Sequence, residues 1–295
     1  MKTSMKLTSY QIGICIISFS AVVWSTLGLF AQGIDAQVWV ILFWRGLFSI
    51  VFLSLYVCYK SKIGIYQEIG NLGWPGWLSA IIGAAATVCF ISAFKYTSIA
   101  NVSIVYATIP FIVSVLAWLF LRETIQPIAI ACALIALFGV FIMVQGSAGS
   151  THIIGDVLAL LMAIGMSALV VLFRKYPTRP MVLSTLFSAA IHLLLSLLLS
   201  EPFTVSWQDL MGLIVFGALF ATATILTVEG SRLIPAFQSA MIGTLEAPLA
   251  VLWAWLIFSQ TPAFTTWIGG SLVTCAVILN MYAHHRSQSK SSAIT

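Results

Sequence analysis

Ten apolar runs, each long enough to cross a bilayer as a helix, constrain this chain more than any other feature. They fall at approximately 11–31, 38–59, 75–94, 98–121, 127–145, 153–173, 180–199, 208–228, 235–258 and 263–282. At a rise of 1.5 Å per residue, roughly 20 residues cross a hydrocarbon core of about 30 Å. The connections between runs are short, and no stretch outside them is long enough to build a second domain. Charged residues make up 7% of the chain and hydrophobic ones 61%, whereas a soluble domain carries about 25% charged residues. The expected fold is therefore an all-α membrane protein with ten transmembrane helices.

The net charge of +5 does not point to nucleic acid, because the basic residues are scattered over loops. They report orientation instead. With the N-terminus inside, Lys2, Lys6, Lys60, Lys62, Arg122, Arg174, Lys175, Arg179, Arg232, Arg286 and Lys290 all fall on the inner side. Only Lys95 falls at the outer boundary, with Arg45 inside the second span. That asymmetry follows the positive-inside rule and predicts cytoplasmic termini. The five cysteines all lie within expected helices, with no CxxC pair, and read as small apolar filler.

The two halves match at an offset of 137 residues. Ala84-Ala85-Ala86-Thr87-Val88 falls on Ala221-Thr222-Ala223-Thr224-Ile225, and Leu116-Ala117-Trp118-Leu119 on Trp253-Ala254-Trp255-Leu256. Thr124 falls on Thr261 and Lys95 on Arg232. Several matches at one offset indicate an internal duplication. A unit of five spans is odd, so the second copy enters the membrane upside down. The expected units are 11–145 and 153–282, followed by a polar tail at 283–295. Two inverted five-helix repeats are the architecture of many secondary transporters, whose sites lie near the midplane between repeats.

In this register Ile109 of the fourth span matches Glu246 of the ninth. A carboxylate at that depth costs roughly 2.5–3.5 kcal/mol on insertion scales, so it needs a protein interior or a wet cavity. Pro110 and Pro248 lie at mid-depth of the same two spans. Each proline removes a backbone donor and frees a carbonyl, which protein or cavity water must satisfy. Ser239, Gly243, Glu246, Ala250 and Trp253 share one face at helical spacing. The cavity candidates are Glu246, Trp24, Ser25, Arg45, Asn101, Tyr106, Pro110, Ser239, Gly243 and Trp253. Arg45 reads first as a snorkelling or structurally paired residue, and second as a cavity or gating one. Asn101 and Tyr106 could line a pathway or bond to a neighbouring helix. His192 reads as hydrogen-bonded packing, Glu229 as a solvated acid or a partner of Arg232, and Arg122-Glu123 as a charged pair at the inner surface. The fifth and tenth spans are nearly featureless and are expected at the periphery.

Read together, these features resemble the drug/metabolite transporter superfamily, EamA type. The resemblance is carried by Trp24-Ser25, Arg45, Lys95-Tyr96-Thr97-Ser98 with Pro110, Gly155-Asp156, and Leu245-Glu246 with Pro248. It covers nearly the whole chain. The family usually closes both the fourth and ninth spans with a glutamate; Glu123 fits, but Gln260 stands at the second position. The resemblance implies secondary transport of small organic metabolites, often amino-acid export, through a cavity built by spans one to four and six to nine.

Three roles are open to Glu246: proton carrier, counter-charge for a substrate ammonium group, or structural partner. Trp24, Tyr106 and Trp253 would suit an amphipathic or cationic substrate, since aromatic faces attract cations. Import or exchange of another metabolite (a nucleoside, an S-adenosylmethionine-like compound or a drug-like cation) uses the same architecture, and so does a channel-like facilitator. An enzyme is disfavoured: there is no HExxH, no GxSxG and no pair of intramembrane aspartates. No cofactor or metal set is expected. A sensor or scaffold would bring a soluble domain or long loop. Ten helices in one chain close a cavity by themselves, so a monomer is expected, in a bacterial inner membrane.

Overall fold

Proline at mid-depth decides where the fold departs from ten plain rods. A computed structural model describes residues 8–34, 36–61, 65–96, 99–144, 153–203, 205–259 and 264–292. Those residues form twelve helices: α1 (Ser9–Gly33), α2 (Val38–Lys60), α3 (Ile65–Tyr96), α4 (Ile99–Tyr106), α5 (Ile109–Leu121), α6 (Pro127–Val144), α7 (Ile153–Lys175), α8 (Met181–Leu199), α9 (Trp207–Ser231), α10 (Ala236–Gly243), α11 (Glu246–Phe258) and α12 (Phe264–Ser292). Ten spans give twelve helices because the fourth is split into α4 and α5, and the ninth into α10 and α11. Among the described residues nine spans are long and apolar enough to cross a membrane, and a shorter apolar helix, Pro127–Met143, supplies the fifth. The chain is an all-α membrane protein.

In the fourth and ninth spans the 137-residue offset holds to the residue. Adding the 137-residue offset to Ile99–Tyr106 gives Ala236–Gly243, and adding it to Ile109–Leu121 gives Glu246–Phe258. Arg122, with φ 56°, maps onto Ser259, with φ 53°. Packing obeys the same symmetry. Helix α3 lies on α7 as α9 lies on α1, and α3 lies on α8 as α9 lies on α2. Helices α6 and α12 pack on each other, so close at Gly139 and Gly269 that a Cβ on Gly269 would stand 2.2 Å from the Gly139 carbonyl oxygen. Their other faces expose Ile130, Leu134, Phe138, Ile268 and Ile278, as expected of peripheral spans.

Two element ends lie elsewhere than the hydropathy indicates. Helix α3 begins at Ile65, ahead of the apolar run, and turns at Gly73 (φ 59°, ψ −177°) before Pro75. Only glycine takes that backbone conformation without strain. The polar first segment, with Gln67, Glu68 and Asn71, docks Leu72 fully buried and is too short to register as a span. Helix α12 continues to Ser292, because no glycine or proline between 271 and 292 stops it; the tail is helical up to there. Helix α1 opens with a capping box, Thr8 and Gln11 bonding reciprocally. All five cysteines are free.

Candidate functional site

The two discontinuous spans build the site. Pro110 cannot donate to the carbonyl four residues back, and its ring clashes there. The chain answers with a tight turn: Thr108 N–H bonds to the Val105 carbonyl, and Ile112 N–H to that of Thr108. The ninth span repeats the solution at the matching positions. Leu245 N–H bonds to the Ile242 carbonyl, and Leu249 N–H to that of Leu245. Glu246 is thereby placed in the first turn of α11. A helix N-terminus favours a carboxylate, because its free N–H groups and dipole present positive charge.

Tyr106 ends α4, and its hydroxyl donates to Glu246 Oε2 at 2.8 Å. One hydrogen bond therefore joins the two helix breaks across the repeats. Both side chains are partly accessible rather than sealed. Gly243, at the end of α10, faces open space: a Cβ built there meets nothing within 4 Å. Nearer the end of the bundle away from the termini, Trp253 Nε1 donates to Ser25 Oγ at 2.9 Å. Trp24 Nε1 donates to Thr227 Oγ1 at 3.0 Å, and the Trp24 ring meets Phe220 edge-on at 5.4 Å. Ser20 Oγ completes this cluster, 2.8 Å from Thr227.

The structure thus pairs Glu246 with Tyr106 and Trp253 with Ser25, sets Trp24 against span eight, and leaves Gly243 facing open space. Pro110 is buried and acts through the break. Ser239 joins neither pair. Its hydroxyl meets Ser231 at 2.8 Å at the corner between α9 and α10. The shared face read from sequence assumed one continuous helix, and the break at Thr244–Leu245 interrupts it. The side chain of Asn101 lies outside the described residues, as do that of Lys95, Thr97, Ser98 and Gln260. Arg45 neither snorkels nor pairs. It is 3% exposed, with its guanidinium carbon 4.2 Å from the Phe220 ring centroid. His192 is 1% exposed, and its Nδ1 has no hydrogen-bond partner, so it is not the satisfied packing residue that its apolar run indicated.

The opposite, basic end of the bundle is tied together. All three ion pairs among the described residues lie there: Lys60–Glu229 at 2.6 Å, Arg174–Glu123 at 3.2 Å and Arg232–Glu229 at 3.2 Å. Glu123 pairs with Arg174 of the other repeat rather than with its neighbour Arg122. Its Oε2 also accepts the Ala236 N–H at 3.3 Å, which anchors the start of α10. Arg174 Nη1 bonds to the Arg232 carbonyl at 2.8 Å, and Tyr10 bonds through its hydroxyl to Gln238 Oε1 at 2.7 Å. Sequence spacing could not show the Glu123–Arg174 pair, because 51 residues separate its members. Two surface clefts open at this end. One runs along Glu123, Gln126, Gln238 and Asn280, the other along Lys60, Glu68, Arg179 and Glu229; Glu246 lines neither. Among the described residues no group of three His, Cys, Asp or Glu side chains could hold a metal.

Comparison with known proteins fits this geometry. Residues 11–145 match the EamA-like transporter family. The chain is thus similar over its first five spans to an EamA-like unit, the type found in the drug/metabolite transporter superfamily. It is 26% identical over 207 residues to the pseudopaline exporter CntI of Pseudomonas aeruginosa, spanning 67% of this chain and 71% of that protein. It is 26% identical over 212 residues to a riboflavin transporter of Brucella anthropi, spanning 68% and 73%. Solute carrier family 35 member G1 of Mus musculus is 25% identical over 242 residues, spanning 72% of this chain and 64% of that protein. A solved crystal structure at 18% identity covers 92% of this chain and 98% of its own, with a TM-score of 0.78; that likeness speaks for the fold. The relatives so named are transporters of small molecules, and this chain shares their multi-pass membrane architecture.

Proposed function

We propose that this chain is a drug/metabolite transporter and a secondary exporter of small organic metabolites, amino acids or amphipathic amines, working by alternating access with proton coupling at Glu246. The observation that carries the reading is the Tyr106–Glu246 hydrogen bond. It places an ionisable group at mid-depth, where the two repeats meet and both central spans are broken. Rocking one repeat against the other would make and break that bond, and a carboxylate freed from its phenol can exchange its proton or receive a substrate ammonium group. The ion pairs at the basic end would close one side of the pathway. Trp24 and Trp253 supply aromatic walls for an amphipathic substrate. The relatives named for pseudopaline and riboflavin support small organic cargo, and the first supports the outward direction. The basic residues support a cytoplasmic position for that end and for both termini, in a bacterial inner membrane. One chain supplies both repeats, so the working unit is a monomer.

Counterflow tests this. Purified protein in proteoliposomes is loaded with each of a panel of unlabelled amino acids and amines, then offered the labelled compound outside. Saturable accumulation of at least one compound is expected. Linear, unsaturable flux would identify a channel-like facilitator, and no flux for any compound would overturn the cargo assignment.

A further inference from the structure

Arg45 is a charge with nothing to answer it. It is 3% exposed, and both Nε and Nη2 are buried without a hydrogen-bond partner. Among the described residues it makes no ion pair. Of the seven acids described, only Glu246 lies at mid-depth of a span, and its bond goes to Tyr106. A buried cation left unpaired is costly, and natural structures rarely keep one without a use.

The geometry narrows that use. Phe220 and Phe216 cover the guanidinium, at 4.2 and 5.8 Å from ring centroid to Cζ. Rings hold the flat face of a guanidinium and leave its edges free. The two orphaned nitrogens, Nε and Nη2, stand on one edge and point their N–H bonds the same way. That edge is the fork that a carboxylate takes with two parallel hydrogen bonds. A third unpaired nitrogen lies on the facing helix. His192 Nδ1 is buried without a partner, on the helix that packs against α2. Gly46 sets the approach, since a Cβ there would stand 3.4 Å from the Ala189 carbonyl oxygen. The aromatic cover also connects this fork to the pathway, because Phe220 is the ring that Trp24 meets edge-on.

We infer that the Nε–Nη2 edge of Arg45, with His192 beside it, is the recognition site for a carboxylate on the transported compound. The state described here has the fork buried, with Phe216 and Phe220 over the guanidinium face. Parting of α2 from α9 as the repeats rock would open it. The inference rests on the transport reading above and sharpens it: cargo carries a carboxylate, so amino acids and related acids are substrates, whereas simple amines are not.

The test is counterflow with matched sets: each amino acid, its α-amide and its decarboxylated amine. At least one acid should be exchanged at ten times the rate of its amide and amine or more. Arg45→Lys keeps the charge but loses the fork, and should cut that acid-to-amide ratio at least tenfold; His192→Gln should lower it by less. Exchange of amides or amines as fast as the acids would overturn this inference and leave the transport reading standing, as would an Arg45→Lys protein with an unchanged ratio. Exchange of nothing in the panel would overturn both. Should Arg45→Lys elute as an aggregate, the acid-to-amide ratio of the wild-type protein decides alone.

Discussion

The fourth and ninth spans are the same object built twice and used differently. Each is a pair of half-helices with identical bounds at the 137-residue offset, and each breaks just ahead of a proline. Each closes on a residue with φ near 55°, Arg122 or Ser259. At the first residue after the break the two differ in charge, with Ile109 in the first and Glu246 in the second. Ile109 is buried in an apolar cluster with Val113 and Ala117. Glu246 stays partly accessible and reaches across to Tyr106. Duplication therefore supplies the hinge-like geometry twice, whereas the chemistry is placed once. An asymmetric carboxylate in a symmetric frame is what a coupled carrier requires, since a single proton site can be offered to either side in turn.

The largest effect should come from erasing that difference. Glu246→Ile puts the fourth span's residue at the matched position and should lower transport at least about 100-fold, because the coupling carboxylate is gone. Vesicle uptake of the compound found by counterflow checks this, with Ile109→Val close to wild type as the counterpart. Restoring continuity should come next. Pro110→Ala and Pro248→Ala each return a backbone donor to the span, so thermal stability should be held or raised while transport falls about tenfold or more. A thermal melt paired with uptake separates the two readouts.

Much of this was legible before any coordinates. Glu246, Pro110, Pro248 and the offset of 137 are all visible in the letters, because the cost of a charge in lipid and the geometry of proline are local properties. Other features depend on what faces what. The ninth-span face containing Ser239 failed because helical spacing presumes an unbroken helix, and α10 ends at Gly243. The partner of Glu123 is a whole span away. The segment from Ile65 to Leu72 is polar and short, and only the left-handed backbone at Gly73 turns it onto the bundle. For Arg45 the sequence offers an arginine in a span, but not that every described acid lies elsewhere.

Smaller changes sharpen the comparison further. Tyr106→Phe removes one neutral donor from Glu246 and should reduce transport about 3- to 10-fold, in line with the ~0.5–1.5 kcal/mol of such a bond. Glu123→Gln should weaken the tie between α5 and α7. Because the pair is partly exposed, stability should fall by no more than ~1 kcal/mol, read by a thermal melt. Gly243→Ala should leave transport within about twofold of wild type, since the added methyl meets open space; Gly243→Trp should block it.

The most direct measurement concerns Glu246 itself. In proteoliposomes carrying Glu246→Gln, counterflow of the identified compound and its uptake driven by an imposed pH gradient are followed side by side. The glutamine keeps a hydrogen bond to Tyr106 but cannot cycle a proton. Counterflow retained with gradient-driven uptake lost is the result predicted here. Gradient-driven uptake that survives at wild-type rate would contradict the claim that the single carboxylate between the two broken spans couples transport to protons.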